Sequence, residues 1–410
     1  MNPLKKAYCR SFQAVLKAAL PFLPYRKPEI IHSVYGIPQI LEKKKCDHVL
    51  IITDTGIISH GLITRLEDTL DQHFIPYVVY DGTVANPTTT NVNEALALYY
   101  EYDCNAIIGF GGGSSIDCAK AVGARVAKPH QSLEKMKGIL KVHKKLPLLI
   151  AIPTTAGTGS ETTLAAVITD AETRHKYPIN DFPLIPRVAV LDPKVTASLP
   201  PSLTATTGMD ALTHAVEAYI GNSTTAGTRA DALFAVKMIF ENIDRAYCDG
   251  SDLGARKNML LAAFSAGCAF SKSYVGYVHA VAHSLGGEYN VPHGLANAVL
   301  LPFVLESYGH AIDAKLHQLA IAAGVADEAT PEIQAATQFI QAIKDMKKRF
   351  SIGDTIPQIR EEDIPKLASY AEKEANPLYP VPVLMDARQL ESFYYLLMEK
   401  NETEESNQEV

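Results

Sequence analysis

The sequence predicts an α/β domain with a doubly wound, mostly parallel sheet, followed by an all-α domain. Three observations predict it. From about residue 28 to 192, short runs rich in Val and Ile, "HVLIITD", "YVVYDG", "AIIGFGGG", "PLLIAIPTT" and "RVAVLDP", alternate with helical patterns. They are apolar throughout and do not alternate with polar residues, the signature of parallel strands covered on both faces. A glycine cluster follows the third run directly, as a strand-to-helix turn does in such folds. After Asp192-Pro193 the β-branched runs stop, and long helical stretches such as "GMDALTHAVEAYI" and "ARKNMLLAAFSAGCAF" take over. The predicted domains are an N-terminal extension at 1–27, the α/β domain at 28–195 and the helical domain at 196–410.

The composition agrees with this and excludes several classes. A chain of 410 residues exceeds one ordinary core, and 47% hydrophobic with 20% charged residues describes a soluble globular protein. A formal net charge of −7 without a basic block argues against nucleic acid or an anionic membrane surface as partner. No apolar run is long enough for a membrane span. The six cysteines are scattered without a CxxC pair, so neither a disulfide framework nor a thiolate zinc site is expected, and a reducing cytoplasm is. Lys5, Lys6 and Arg10 precede "FQAVLKAALPFLP", but Lys17 interrupts that stretch and Pro21 and Pro24 end it. A short amphipathic helix is predicted there rather than a secretory leader. Internal repeats are absent, and only the tail "KNETEESNQEV" has a disorder-like composition.

The turn "GFGGGSSIDCAK", Gly109 to Lys120, carries the first chemical signal. A strand ending in glycines and opening a helix brings several backbone N–H groups and the positive end of a helix dipole to one point, which suits a phosphate. Gly109 and Gly111 match the first two glycines of the dinucleotide fingerprint, but Ser114 stands where the third belongs, and no Walker A ending follows. Anion binding and a purely structural turn both remain open from these residues. The loop "PTTAGTGSETT", Pro153 to Thr163, repeats the logic with five threonines, and reads equally as a helix cap from Ser160, Glu161 and Thr162. Asp54 ends the first clear strand, where a carboxylate either accepts ribose hydroxyls or caps a helix.

The helical half carries the stronger signal. Asp210 and His214 stand four residues apart, on one helix face, and so do His279 and His283, with His293 following. An aspartate with several imidazoles supplies oxygen and nitrogen donors suited to Fe(II) or Zn(II). Spacing alone does not choose between His279 and His283.

Taken in order and at their intervals, "GGGSSID", "PTTAGTGSE", "GMDALTHAVEAY" and "HAVAHSLGGEYNVPHGLANAVLLP" resemble the iron-containing alcohol dehydrogenase family, over about residue 30 to the end. The resemblance implies the dehydroquinate synthase-like architecture, with a nicotinamide-binding α/β domain, a helical domain, and metal and substrate in the cleft between them. It implies Asp210, His214, His279 and His293 as metal ligands, with His283 off the metal, near the nicotinamide and able to relay a proton. It implies Asp54 on the adenosine ribose, and Gly112, Gly113, Ser114 and Ser115 on the pyrophosphate. Thr154, Thr155 and Thr158 fall on the nicotinamide side, and Asn86, Asp117 and Lys176 are further cofactor-binding positions. A carboxylate at Asp54 favours NAD over NADP. The implied reaction transfers a hydride between NAD(H) and a small alcohol or aldehyde, with Fe(II), or alternatively Zn(II), acting as Lewis acid on the substrate oxygen. A cytoplasmic homodimer is implied as well. Two alternatives stand beside this reading: a lyase or hydroxyacid-oxoacid transhydrogenase on the same scaffold, and a metal-assisted phosphate-ester hydrolase, against which Asp54 and the threonine loop weigh.

Departures from the family pattern bear on the substrate. Ala165 and Ala166 stand where larger side chains are common and should widen the pocket. "AFSKSYVG" keeps Phe270 but adds Lys272 and Tyr274, and the lysine reads either as a solvent-facing side chain or as a contact for a substrate carrying a carboxylate or phosphonate. "NPL" at Asn376–Leu378 replaces the family's "NPR", and the extension before residue 28 is additional to the usual family start.

Overall fold

The computed structural model describes residues 1–399, so the acidic tail named above lies outside the described residues. By its internal contacts the chain divides into two compact units. The first comprises Phe22–Ala211 and Glu241–Ser271; the second comprises Met1–Pro21, Leu212–Phe240 and the chain from Lys272 onward.

The first unit is built on a sheet of six strands: β1 (Glu29–Ile31), β2 (Val49–Ile52), β3 (Tyr77–Tyr80), β4 (Ala106–Gly111), β6 (Leu148–Pro153) and β9 (Val188–Val190). Their spatial order is β1-β9-β6-β4-β2-β3, and every pairing is parallel. All five apolar runs of the sequence are strands of this sheet. Alternate residues go to opposite faces: Leu50, Ile52 and Ile107 join a core with Val92, Leu96 and Val122, while Val49, Ile51 and Ile108 join another with Ile37, Leu41 and Leu66. Both faces are dry, which is why the strands read as unbroken apolar runs. A second sheet, β5 (Gly138–Ile139), β7 (Ala165–Thr169) and β8 (Lys176–Asn180) in the order β5-β8-β7, has no counterpart in the sequence reading. Its strands are short or alternate in burial, a weaker signal than a run of Val and Ile.

The second unit is helical, with helices Pro3–Ala19, Tyr277–Tyr289, His293–Ser307, Asp313–Ala322, Glu332–Arg349, Ile364–Ala375 and Ala387–Leu397. Helices Pro201–Ile220, Ala226–Cys248 and Leu253–Ser273 contribute to both units, because a division of the chain falls within each of them. The predicted amphipathic helix at the N-terminus is Pro3–Ala19. Arg10 donates to Val381 O and Pro382 O at 2.7 Å, and buried Gln13 donates to Tyr379 O at 2.7 Å. The extension therefore packs on the "NPLYPVPVL" segment. Among the described residues no single helix is long and apolar enough to cross a membrane, and all six cysteines are free thiols.

Candidate active site

In the first unit β2, β4 and β6 are neighbours, so the segments leaving their carboxyl ends stand side by side: Asp54 after β2, the glycine turn after β4 and the threonine loop after β6. The chain leaves β2 toward β3 at one edge and leaves β4 toward β6 in the other direction, a topological switch point where α/β sheets bind ligands. The helix Gly113–Ala127 opens at this place with Gly112 as its cap residue, which has no side chain to satisfy the first-turn N–H groups. Gly111 has φ +151, and a Cβ there would come within 2.5 Å of Ser115 Oγ, so only glycine lets the backbone turn this tightly.

The expected cofactor residues cluster here, with some of their groups already engaged. Asp54 caps a short helix by accepting from Ile57 N at 3.1 Å, and its second oxygen accepts from Ser115 Oγ at 3.2 Å. The capping reading of Asp54 is thus realised, and the Ser115 hydroxyl is spent inside the protein. Asn86 N donates to Ser114 Oγ at 3.3 Å, and Lys176 Nζ donates to Asn86 Oδ1 at 2.6 Å, which brings three expected contacts into one chain of hydrogen bonds. Asp117 accepts from Ser160 Oγ at 2.5 Å and from Val167 N at 3.0 Å, tying the glycine helix to the threonine loop. Thr154 is buried and its N–H donates to Gly111 O at 3.0 Å. Thr158 Oγ1 accepts from Ser160 N at 3.3 Å. The Thr155 hydroxyl is buried without a hydrogen-bond partner, an uncompensated polar atom that a bound polar ligand would satisfy.

One residue of this region was not singled out by the sequence. Lys120 is fully buried, and its ammonium donates to Ala165 O at 2.7 Å, Thr163 Oγ1 at 2.8 Å and Ser160 Oγ at 3.2 Å, with Asp117 at 3.5 Å. Burial pushes its pKa down, against the pull of Asp117 and Glu161. Glu161, also fully buried, is pushed up to about 7 by desolvation. One expectation is corrected. Ala166 does not line a pocket: strand β7 alternates in burial, and Ala166 points into the core with Ile107 and Val122, leaving only half-buried Ala165 on the other face. Phe270 packs its ring edge close to Gly159 of the threonine loop.

The metal candidates come from three helices. Asp210 and His214 lie one turn apart on Pro201–Ile220, His279 and His283 one turn apart on Tyr277–Tyr289, and His293 is the first residue of His293–Ser307. Between the last two helices Asn290 adopts the left-handed conformation, at φ +56, and Pro292 precedes His293, so the chain reverses and returns His293 beside His279. Asp210, His214, His279 and His293 each offer one ligand atom, and these atoms all lie within 4.8 Å of one another. His283 is outside this group. Its ring stacks on His293 with centroids 5.1 Å apart, and its side chain is 43% exposed.

Two carboxylates missed by the sequence reading hold these histidines. Glu217, fully buried, accepts from Gly276 N and Val278 N at 2.8 Å each and from His279 Nδ1 at 2.6 Å. It supplies the N-terminal cap that Gly276 lacks. Burial pushes its pKa up to about 7, opposed by the backbone N–H groups of Gly276, Val278 and His279. With the His279 proton held on Nδ1, Nε2 keeps its lone pair, and Asn297 Nδ2 donates toward it at 3.2 Å and toward His293 Nε2 at 3.1 Å. Burial and the neighbouring imidazoles hold His279 well below the usual histidine range, so it is neutral. Neutral imidazoles with oriented lone pairs beside an aspartate form a donor set suited to a divalent metal of borderline hardness. The second carboxylate, Glu374, accepts from His283 Nδ1 at 2.6 Å. Lys272 lies in the last turn of Leu253–Ser273, and Tyr274 just beyond holds φ +64, a strained conformation for a bulky residue.

A doubly wound α/β unit and a site of one carboxylate and three imidazoles define a class of nucleotide- and metal-using enzymes. Residues 31–193 match the sequence model of the family described as iron-containing alcohol dehydrogenase, and residues 204–395 match that of the Fe-containing alcohol dehydrogenase family, C-terminal part. The 1,3-propanediol dehydrogenase of Klebsiella pneumoniae is 38% identical over 366 residues, covering 87% of this chain and 92% of that protein. The solved structure of a 1,3-propanediol oxidoreductase superposes with a TM-score of 0.86 at 33% identity, over 90% of this chain and 97% of that one. A sulfoacetaldehyde reductase from Bifidobacterium kashiwanohense, solved in complex with NAD+, gives a TM-score of 0.81 at 26% identity, over 92% of this chain and 99% of that one. The chain belongs to the iron-containing alcohol dehydrogenase family. It is a metal-dependent oxidoreductase that moves a hydride between a nicotinamide cofactor and a small alcohol or aldehyde.

Proposed function

We propose that Asp210, His214, His279 and His293 hold Fe(II) in preference to Zn(II), and that the loops around Asp54, Gly112–Ser115 and Thr154–Thr158 hold NAD in preference to NADP. The observation that carries the reading is the convergence of four ligand atoms within 4.8 Å. When bound, the metal polarises the substrate oxygen and the nicotinamide gives or takes the hydride. The chain's own residues do the rest. Glu217 holds the His279 proton on Nδ1 and so directs the Nε2 lone pair to the metal. The uncapped first turn at Gly113–Ser115 receives the pyrophosphate, and the Thr155 hydroxyl finds its partner on the cofactor. Asp54 places a negative charge where a 2′-phosphate would be repelled. His283 relays the alcohol proton to solvent.

The substrate is a small aldehyde or alcohol, and Lys272 favours one with an anionic group. The sulfoacetaldehyde reductase, whose name specifies such a substrate, supports this reading. The enzyme works as a cytoplasmic homodimer, to be checked by sedimentation. The deciding experiment loads purified protein with Fe(II) or Zn(II) and follows NADH and NADPH absorbance against neutral and anionic aldehydes and alcohols. Turnover is expected with NADH, and Lys272→Met should raise KM for anionic aldehydes alone. Equal use of NADPH would sink the cofactor assignment, and an equal effect of Lys272→Met on neutral aldehydes would sink the anionic one.

A further inference from the structure

Two carboxylate–imidazole pairs stand on the helix Tyr277–Tyr289, and only one is explained by the metal group. Glu217 orients His279, which belongs to the four-residue group. Glu374 makes a bond of the same length, 2.6 Å, to Nδ1 of His283, which does not belong to it. Tyr379 OH donates to the same Glu374 oxygen at 2.7 Å, and the Tyr379 ring is buried. The segment carrying Tyr379 is itself fixed: Gln13 donates to Tyr379 O at 2.7 Å, Arg10 to Val381 O at 2.7 Å, and Asn376 Nδ2 to Met385 O at 2.9 Å. Hydrogen bonds thus run from the N-terminal helix through Tyr379 and Glu374 to a partly exposed imidazole.

We propose that Glu374 is a positioning residue for His283, braced by Tyr379. Its carboxylate holds the ring in one rotamer and keeps the proton on Nδ1, so that Nε2 is the unprotonated nitrogen. This rests on the reading of His283 as the proton relay. An exposed imidazole otherwise samples several rotamers and both tautomers, and the fraction of time in the productive arrangement falls accordingly. A carboxylate behind a functional histidine removes that loss, and deleting such partners of metal-ligating histidines typically costs about 10–100-fold in activity or affinity. Glu374 lies 91 positions from His283, and the sequence reading gave it no role.

The test is Glu374→Gln, which keeps the side chain's size and removes its charge. In metal-free protein labelled with 15N-histidine, the His283 signal is identified by its loss in His283→Ala. It should report the Nδ1–H tautomer in the native chain and a mixture in Glu374→Gln. In the Fe(II)-loaded enzyme kcat should fall about tenfold or more, with KM values, metal content and melting temperature nearly unchanged. The double variant with His283→Ala should be no slower than His283→Ala alone. Tyr379→Phe should lower kcat in the same direction by less. An unchanged tautomer in Glu374→Gln, or additive losses in the double variant, overturns the proposal. If His283→Ala keeps full kcat, the relay reading fails, and the tautomer measurement still decides whether Glu374 sets the imidazole.

Discussion

Lys120→Met is the most informative perturbation of the first unit. It leaves the methylene stem in place and deletes an ammonium that donates three hydrogen bonds of 2.7–3.2 Å and pairs with Asp117 at 3.5 Å. Hydrogen bonds to a charged group are worth about 1.5–3 kcal/mol each. Part of that sum is cancelled, because the variant no longer has to strip water from an ion. Removing one member of a buried ion pair typically costs about 3–5 kcal/mol. The low end applies here, since Asp117 keeps its bonds from Ser160 and Val167 and Ala165 O keeps a contact from Thr163. About 3 kcal/mol, at about 2–4 °C per kcal/mol for a unit of this size, lowers Tm by about 6–12 °C. The threonine loop loses its anchor at the same time, so NADH should bind several-fold more weakly. Thermal unfolding by circular dichroism and a fluorescence titration with NADH read the two effects. A melting temperature within about 2 °C of the native value, with unchanged NADH affinity, would refute the reasoning.

Three further predictions follow from neighbouring groups. Glu161 is raised from 4.5 to about 7 in the folded chain. Its protonated form therefore favours the fold at acid pH, and that contribution is lost as pH climbs from about 4.5 through about 7. The stability of Glu161→Gln relative to the native chain should rise between about pH 5 and pH 8, and a flat difference in melting temperature would contradict this. Gly113→Val places its side chain against Thr158, whose atoms lie 3.3 Å from a Cβ at that position, so NADH should bind at least about tenfold more weakly with metal content unchanged. Concurrent loss of metal would mean that Gly113 is a folding residue. Glu217→Gln should weaken Fe(II) retention against a chelator by about 10–100-fold, and native-like retention would remove its assigned role in orienting His279.

Much of the fold was legible in the chain order. Five apolar runs became five strands because a parallel strand buried on both faces has no polar positions to disguise it. The second sheet was not legible: β7 and β8 alternate or are interrupted by Pro178, and their pairing lies in contacts between strands. At the site, Asp210 and His214 were legible from helical spacing, since both lie on one helix. Glu217, Glu374 and Lys120 were not. An isolated acid or lysine in a helix looks like a solvated side chain until the fold buries it. Glu217 and His279 are 62 positions apart, and no local pattern links them.

By itself the sequence determined the class of fold, the change from α/β to helical texture, the two donor-rich loops and a set of residues able to bind metal. These depend on periodicity and spacing, which are local properties of the chain. Tertiary structure decided the rest. It placed His279 within the four-residue group and left His283 exposed beside it, a choice that helical spacing left open and the family resemblance implied. It spent Asp54 and Ser115 on each other, turned Ala166 into the core, and set Glu217 and Glu374 behind two histidines. Each outcome depends on which surfaces are buried against which, and on the requirement that a buried polar group find a partner wherever the packing brings one.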